Sequence, residues 1–243
     1  MKTLREIYDF LDSISPFASQ ESWDNSGLLI GKWDTKIKNI FSSLEVTKDV
    51  ALQAEQDSLI VAHHPLIFTP LKNLNGYIYP NNIIEILVRK NISLIALHTN
   101  FDLSHLNEYF VRNVLGYKEY IKDNFICNIN VNDSFDNFVK YIKSRMNILK
   151  INKASNNINR ASIVCGAGVG VFRDELFRDN VNCIITGDIK YHDAMKLNSM
   201  GISSIDVGHY ESERDFPKLI KENLKNIGYE VIIADSKNPF IFV

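Results

Sequence analysis

The chain has 243 residues, of which 45% are hydrophobic and 23% are charged. This is an ordinary globular composition, with enough length for one large domain or two small lobes. The formal net charge is -2, the pI is about 6.3, and the Lys and Arg residues are scattered along the sequence. Nucleic-acid binding usually needs a concentrated basic surface, so we expect no nucleic-acid partner.

The amino-terminal residues predict a helix of a folded domain. Leu4, Ile7 and Leu11 lie on one face of it, and Thr3 and Glu6 have the spacing of a capping box. A signal peptide would instead contain an apolar core. Because no apolar run approaches the roughly 18 residues that cross a bilayer, we expect a soluble, cytoplasmic protein without a membrane partner.

The three cysteines lie in apolar, strand-like surroundings. Cys127, Cys165 and Cys183 are odd in number and widely spaced, which fits neither a disulfide framework nor a zinc knuckle. Buried, reduced thiols are the expected state.

From residue 40 onward, short apolar runs alternate with helical patterns, which is typical of βαβ units around a mostly parallel sheet. Strands are predicted at 40–46, 59–62, 94–97, 125–131, 161–165, 181–186, 202–207 and 230–234, and helices from 47 and at 82–89, 107–115, 134–146, 172–178, 192–198 and 213–226. The polar stretch 152–160 reads as a loop between two halves. The expected fold is α/β, with two similar, intertwined lobes at about 1–125 and 126–243 whose mostly parallel sheets are flanked by helices.

Ligands of α/β sheets bind outside the carboxyl ends of the strands, and five of the six histidines follow apolar runs. The residues at these strand ends are His63-His64-Pro65, His98 with Asp102, Gly187-Asp188 with His192, and Gly208-His209 with Glu213. This placement predicts a metal site at the carboxyl ends of the strands, between the lobes.

Imidazoles bind first-row divalent cations, and carboxylates add the negative charge that holds two cations together. Adjacent residues of an extended segment point to opposite sides, so His63 and His64 would each face a different ion. Asp102, His209 and Glu213 are the candidates that complete the two sites, with Glu213 long enough to bridge both ions. Zinc, iron, manganese, cobalt and nickel all remain possible.

Other interpretations remain for each feature. A single His after a strand is often a hydrogen-bonded structural residue, and an acid at a helix start is often a cap; only the joint placement favours a metal site. The glycine-rich stretch 165–170 follows a strand and precedes a helical pattern, so phosphate binding by its N–H groups is one interpretation. It lacks the Lys-Ser/Thr ending of a Walker loop and the full dinucleotide fingerprint, which favours tight turning.

Five motifs, in order over almost the whole chain, resemble the GTP cyclohydrolase 1 type 2 homologues, also called the Nif-three-like family. They are Trp23 to Gly31, His63 to Phe68, His98 to Asp102, Thr186-Gly187-Asp188 with His192, and Gly208-His209 with Ser212-Glu213. The resemblance implies a toroidal homohexamer of two-lobed subunits with dinuclear metal sites facing an internal cavity. The chain is too short for the long domain inserted in some members.

Carried over by motif, the resemblance implies a role for each site residue. His64 and Asp102 would hold one cation, His63 and His209 the other, and Glu213 both. His98, Asp188 and His192 would lie around the metals as acid/base or orienting groups, with Asp188 standing where Glu is more frequent.

The activity that the resemblance implies is hydrolysis of GTP to 7,8-dihydroneopterin triphosphate and formate. A two-metal site is equally suited to hydrolysing a phosphoester or an amide. A protein of another class is the remaining alternative, one that binds or delivers metal, or regulates, without turnover of its own.

Overall fold

The computed structural model describes residues 2–147, 150–172, 180–234 and 236–241. They form two compact units: unit 1 comprises Met1–Ser104 and Asp215–Val243, and unit 2 comprises His105–Arg214. These bounds differ from the predicted lobes, because the carboxy-terminal segment returns to unit 1, where Val231 pairs with Ile40.

The elements follow in chain order. The strands are β1 (Gly27–Ile30), β2 (Ile40–Ser43), β3 (Leu59–Ala62), β4 (Ser93–Ala96), β5 (Ile121–Asp123), β6 (Ile126–Ser134), β7 (Lys150–Asn152), β8 (Asn157–Ile163), β9 (Val181–Thr186), β10 (Ser203–Asp206) and β11 (Val231–Ile233). The α-helices are α1 (Leu4–Ile14), α2 (Lys48–Gln53), α3 (Asn81–Arg89), α4 (Thr99–Phe101), α5 (Asn107–Tyr109), α6 (Phe135–Arg145), α7 (Tyr191–Ser199), α8 (His209–Glu213) and α9 (Phe216–Lys225). Short 3₁₀ turns lie at Phe17–Ser19 and Gly168–Val171, and π-helical turns at Asp102–Leu106 and Phe110–Val114.

The sheet of unit 1 has the strand order β1-β4-β3-β2-β11. Strands β4, β3, β2 and β11 are parallel to one another, and β1 pairs antiparallel with β4 at the edge. Every residue of β2, β3 and β4 is buried, as expected of parallel strands that are covered on both faces. This sheet confirms the predicted alternation of strands and helices.

Helix α3 covers this sheet through one apolar face. Leu87 is fully buried in the core of unit 1, whereas the next residue, Val88, is 62% exposed. We expect Leu87→Ala to lower the free energy of unfolding by about 2–5 kcal/mol, because the lost methyl groups leave a cavity. Val88→Ala, the matched control, should change it by no more than about 0.5 kcal/mol. Urea unfolding followed by circular dichroism measures both, and equal effects would contradict this packing.

The sheet of unit 2 has the order β5-β6-β8-β9-β10-β7. Its central strands β8, β9 and β10 are parallel, but β5, β6 and β7 join by antiparallel pairs. The α/β class with two helix-flanked sheets is therefore confirmed, while "mostly parallel" describes unit 1 and only the centre of unit 2. The helix predicted at 172–178 lies outside the described residues, apart from its first position.

Two of the predicted elements need correction beyond small shifts of their ends. The polar stretch 152–160 is not all loop, because β8 begins at Asn157 and pairs there with Ser134 of β6; pairing outweighs the low strand propensity of Asn. The helix predicted at 213–226 is two helices, so Glu213 is the last residue of α8 and does not begin a helix.

The expectations for the first helix and for the cysteines are confirmed. The capping box joins Thr3 and Glu6 at the start of α1. Cys127, Cys165 and Cys183 are free and buried, and burial raises the pKa of the Cys127 thiol to about 12. Among the described residues, no helix has both the length and the apolar character that a membrane span requires.

Candidate metal site

The histidines of unit 1 are brought together by strand register. Ala62 of β3 and Ala96 of β4 are paired in parallel, and Leu97 continues the ladder by donating its N–H to the Ala62 carbonyl at 2.9 Å. Because the two strands end at the same sheet edge, His63 and His98 emerge side by side.

A three-histidine cluster results, formed by His63, His64 and His98. One ring nitrogen from each lies within 4.8 Å of the others, and the ring centroids of His63 and His64 are 4.9 Å apart. The expectation that these two side chains point to opposite sides is wrong, because β3 ends at Ala62 and the pair follows it in a bend. Alternation applies only within an extended strand.

Asp102 adds a carboxylate to this cluster. Its Oδ1 lies 3.5 Å from Nε2 of the fully buried His63, and it begins the π-helical turn that follows α4. Such turns are frequent at functional sites because they redirect a side chain within a helix. The resemblance assigned Asp102 to the same cation as His64, and the structure adds this contact with His63.

Hydrogen bonds determine which ring nitrogen of each histidine carries the hydrogen. Nδ1 of His63 lies 2.8 Å from the Leu97 carbonyl, Nδ1 of His64 lies 2.5 Å from Glu45 Oε1, and Nδ1 of His98 lies 2.8 Å from Asp24 Oδ1. Carbonyl and carboxylate oxygens accept, so each Nδ1 carries a hydrogen and donates it. In a neutral ring the lone pair is then on Nε2, which is the tautomer that binds metal.

Asp24 is the best anchored of these partners. Its side chain is fully buried, and its Oδ2 accepts the Thr99 N–H at 3.0 Å and the Thr99 hydroxyl. Burial alone would raise the pKa of Asp24, but the hydrogen bond and charge of His98, together with the Thr99 hydrogen bonds, hold this pKa well below its ordinary value. An ionised Asp24 therefore keeps His98 in one orientation.

Unit 2 repeats the same construction. Thr186 of β9 and Asp206 of β10 are paired in parallel, and the residues that follow them bring Asp188 and His209 together. Nδ1 of His209 lies 2.8 Å from Asp188 Oδ2, and its Nε2 lies 3.1 Å from Oε2 of Glu213, which is 2% exposed. Asp188 thus reaches His209 despite being shorter than Glu, and acts on it as an orienting carboxylate.

Asp206 is a site residue that the sequence reasoning missed. Its carboxylate accepts the Gly208 N–H and the Ile189 N–H, each at 3.0 Å, and lies 2.8 Å from Lys150 Nζ. It therefore ties together the two loops that present Asp188 and His209. Its only sequence signal is an acid at the last position of the strand Ser203–Asp206.

The glycine-rich loop packs against the Glu213 carboxylate. Gly166 donates its N–H to Ser212 Oγ at 2.9 Å, and Gly168 donates to Thr186 Oγ1 at 2.8 Å. A Cβ on Gly166 would lie 2.2 Å from Glu213 Oε1. These contacts favour the tight-turn interpretation over phosphate binding for both N–H groups.

Because of this packing, we expect alanine to have different effects at two glycines of the same loop. For a metal-dependent enzyme whose site includes Glu213, Gly166→Ala should reduce metal content and turnover about 10–100-fold, because it displaces this carboxylate and places Ala at φ +61°. Gly170→Ala is the matched control, since nothing lies within 4 Å of its Cβ position, and it should behave like the unmodified protein. Elemental analysis and initial rates test the pair. Equal behaviour of the two variants would contradict the contact with Glu213.

A cavity of about 500 Å³ opens beside this loop in unit 2. Its lining includes Ala167, Gly170, Asp188, Lys190 and Lys196. A phosphate contact there stays the alternative to tight turning.

The other predicted site residue of unit 2 stands apart. His192 is exposed on α7, with its ring centroid 5.3 Å from that of Tyr191. None of the possible metal-binding groups that we find among the described residues includes it.

Fold and site together define an α/β protein with two sheets and with His and carboxylate clusters where parallel strands end. The chain belongs to the Duf34/NIF3 (NGG1p interacting factor 3) family, whose model matches residues 2–239. The family resemblance expected from the five motifs is thereby confirmed.

Curated relatives cover nearly the whole chain. A Campylobacter jejuni protein described as a GTP cyclohydrolase 1 type 2 homolog is 44% identical over 240 residues, with 98% of each chain covered. A Helicobacter pylori protein described as GTP cyclohydrolase 1 type 2 is 45% identical over 242 residues, also with 98% of each covered.

Solved structures share the fold. The crystal structure of Staphylococcus aureus protein SA1388 has a TM-score of 0.83 at 26% identity, covering 100% of this chain and 99% of that one. Reduced HcgD from Methanocaldococcus jannaschii has a TM-score of 0.82 at 24% identity, covering 96% and 97%; at this identity the likeness supports the fold alone.

Proposed function

We propose that the chain is a metal-dependent hydrolase that uses two divalent cations, with GTP as the leading substrate. Three features support this: the three-histidine cluster with Asp102, the His209–Glu213 pair, and the description of the 44–45% identical relatives as GTP cyclohydrolase 1 type 2 or its homolog. The proposed products are 7,8-dihydroneopterin triphosphate and formate.

The observation that carries the proposal is the common state of four histidines. His63, His64, His98 and His209 each donate from Nδ1 to an oxygen acceptor. A histidine that only supported the fold would have no reason to share one tautomer with three others, whereas metal ligands are held in this way by carboxylates and carbonyls. The donor set of imidazole nitrogens and carboxylate oxygens fits zinc, iron, manganese, cobalt or nickel.

We assign the ligands on this basis. His63 and Asp102 would hold one cation, because of their 3.5 Å contact. His64 and His209 would hold the second, and the carboxylate of Glu213 would serve both. When bound, the two cations would lower the pKa of water and stabilise developing negative charge.

The remaining polar residues would transfer protons or orient other side chains of the site. His98, oriented by Asp24, would accept a proton at Nε2 and return it to the leaving group. Asp188 would hold His209, and His192 is retained as a proton-transfer candidate from the sequence pattern. Assembly into a homohexamer, implied by the resemblance, belongs to the same proposal.

Asp24→Asn tests the positioning of His98. The Asn amide can donate to Nδ1 and so favour the other tautomer, and we expect kcat to fall at least about 100-fold while KM and metal content stay within twofold.

Because the pKa of Asp24 is lowered in the folded protein, its ionised form stabilises the fold above about pH 4, and this stability is lost as the pH falls through the folded-state pKa. The variant should therefore unfold more easily at pH 7 and depend less on pH in acid. Unchanged kcat would refute the role of Asp24.

The direct test of the activity measures metal content and substrate turnover on the same preparation. The metal-loaded protein is incubated with GTP, other nucleotides, phosphoesters and amides, and pterin formation is followed by fluorescence after oxidation. GTP turnover that disappears on metal removal supports the proposal. Tight metal binding without turnover of any substrate would instead identify a metal-binding or metal-delivering protein.

A further inference from the structure

Two large aromatic side chains of unit 1 are exposed beside the three-histidine cluster. Trp23 is 58% exposed and Phe68 is 48% exposed, although both residue types gain free energy from burial. Their ring centroids are 6.0 Å apart and their planes are tilted by 54°. The rings are therefore not stacked on each other, and they leave aromatic surface open to a ligand.

The loops that present these rings are tied together. Asn25, next but one to Trp23, donates its side-chain amide to the carbonyl of Ile67, the neighbour of Phe68, at 2.6 Å. Asp24 is bound in turn to His98 and Thr99. The residues adjacent to both aromatics are thus anchored, and a surface that is ordered before binding loses little entropy when a ligand docks.

His98, a member of the three-histidine cluster, lies beside this aromatic pair. Its ring centroid is 6.1 Å from Trp23, 6.2 Å from Phe68 and 5.4 Å from His64. A flat ligand lying on the aromatic pair would consequently have its edge near His98. Stacking on an aromatic face is the interaction by which proteins hold nucleobases without regard to hydrogen-bonding pattern.

We propose that Trp23 and Phe68 form an aromatic subsite that stacks a planar heteroaromatic ring, the purine base of the substrate, and delivers its edge to His98. This assignment rests on the proposed function and names the part of the protein that selects a base-containing substrate. Neither residue takes part in the chemical step. The subsite predicts that free nucleosides bind, whereas the phosphate chain alone does not occupy it.

The two tryptophans of the chain make a binding test specific. In the metal-loaded Trp33→Phe protein, Trp23 is the sole indole and reports on its own surface. Guanosine and GTP should quench its fluorescence saturably, and inorganic tripolyphosphate should not. Absence of saturable quenching and of calorimetric binding by guanosine up to millimolar concentrations would overturn the subsite.

Variants then separate stacking from other roles. Trp23→Leu and Phe68→Leu should each weaken guanosine binding about 10–100-fold by calorimetry, and Trp23→Phe should restore most of it. Trp33→Leu, at a half-exposed indole that packs on Tyr8, should leave binding unchanged. Metal content and oligomeric mass should match the unmodified protein in every variant. Unchanged binding in both Leu variants, or a change of mass that accompanies lost binding, would overturn the subsite in favour of a subunit contact.

The experiments distinguish failure of the proposed subsite from failure of the proposed activity. If guanosine binds through Trp23 but GTP is not turned over, the proposed reaction is wrong and the subsite stands. If GTP is turned over and Trp23→Leu leaves its KM unchanged, the reaction stands and the subsite is wrong.

Discussion

Glu213→Gln is expected to reduce GTP turnover by more than about 100-fold and to lower the metal content of the purified protein. Glu213 is buried at 2% exposure, with its Oε2 3.1 Å from His209 Nε2. Gln keeps the size of the side chain and removes the negative charge that would hold two cations together. Loss of a partner that only orients a ligand already costs roughly 10–100-fold in metal affinity or activity, so loss of the ligand charge should cost more.

The control is Glu222→Gln, the same change at an exposed position of α9. It should retain full metal content and activity. Metal content is measured by elemental analysis after identical reconstitution, and turnover by initial rates at saturating GTP. Full activity of Glu213→Gln would show that this carboxylate is not part of the reacting site.

His63→Asn is expected to remove one cation and with it the activity. Asn preserves the polar character of the buried position and can still donate to the Leu97 carbonyl, which Nδ1 of His63 contacts at 2.8 Å. It lacks a group in the place of Nε2, the atom beside Asp102. The metal content should fall to about one per chain, and turnover should fall at least about 100-fold.

The matched control is His105→Asn, because His105 is the one histidine that follows no strand end. Its pKa is lowered by burial, with a smaller contribution from the charge of Lys122, and no possible metal-binding group among the described residues contains it. We expect it to keep both cations. Loss of metal from His105→Asn and not from His63→Asn would reverse the assignment.

The edge of the unit 1 sheet was predictable because two simple patterns coincide there. The apolar run 59–62 is the observed β3, and the run 94–97 differs from β4 by one residue. Parallel strands end at the same edge of a sheet. The positions of His63 and His98 directly after two predicted strands therefore already implied that they lie close together. Only the register could show that Ala62 pairs with Ala96 and that the His63 and His64 rings lie side by side.

The carboxylates that orient the histidines were not predictable in the same way. Asp24 lies 74 residues before His98, and Glu45 lies 19 residues before His64. Neither spacing follows a helix or strand period, so each contact depends on how separate loops pack. Asp206 was missed for a related reason, since an acid at the end of a short strand gives no sign that it binds the backbone of two loops.

Strand β8 shows the limit of local propensity. Its first residues are Asn157, Ile158 and Asn159, which read as loop, yet Asn157 and Ile158 pair with β6. Cross-strand pairing and burial of Ile158 outweigh the preference of Asn for turns. Because the paired residues of β6 lie more than 20 residues away, a short stretch of sequence around Asn157 does not include them.

The proposed two-cation site is built from His63, His64, Asp102, His209 and Glu213. The measurement that tests it most directly is the metal stoichiometry of the full chain, determined by elemental analysis after reconstitution and dialysis, with GTP turnover recorded on the same sample. About two cations per chain, lost together with turnover on chelation, is the predicted result. A chain that retains no divalent cation after reconstitution, or that turns over GTP at full rate without one, would contradict the claim.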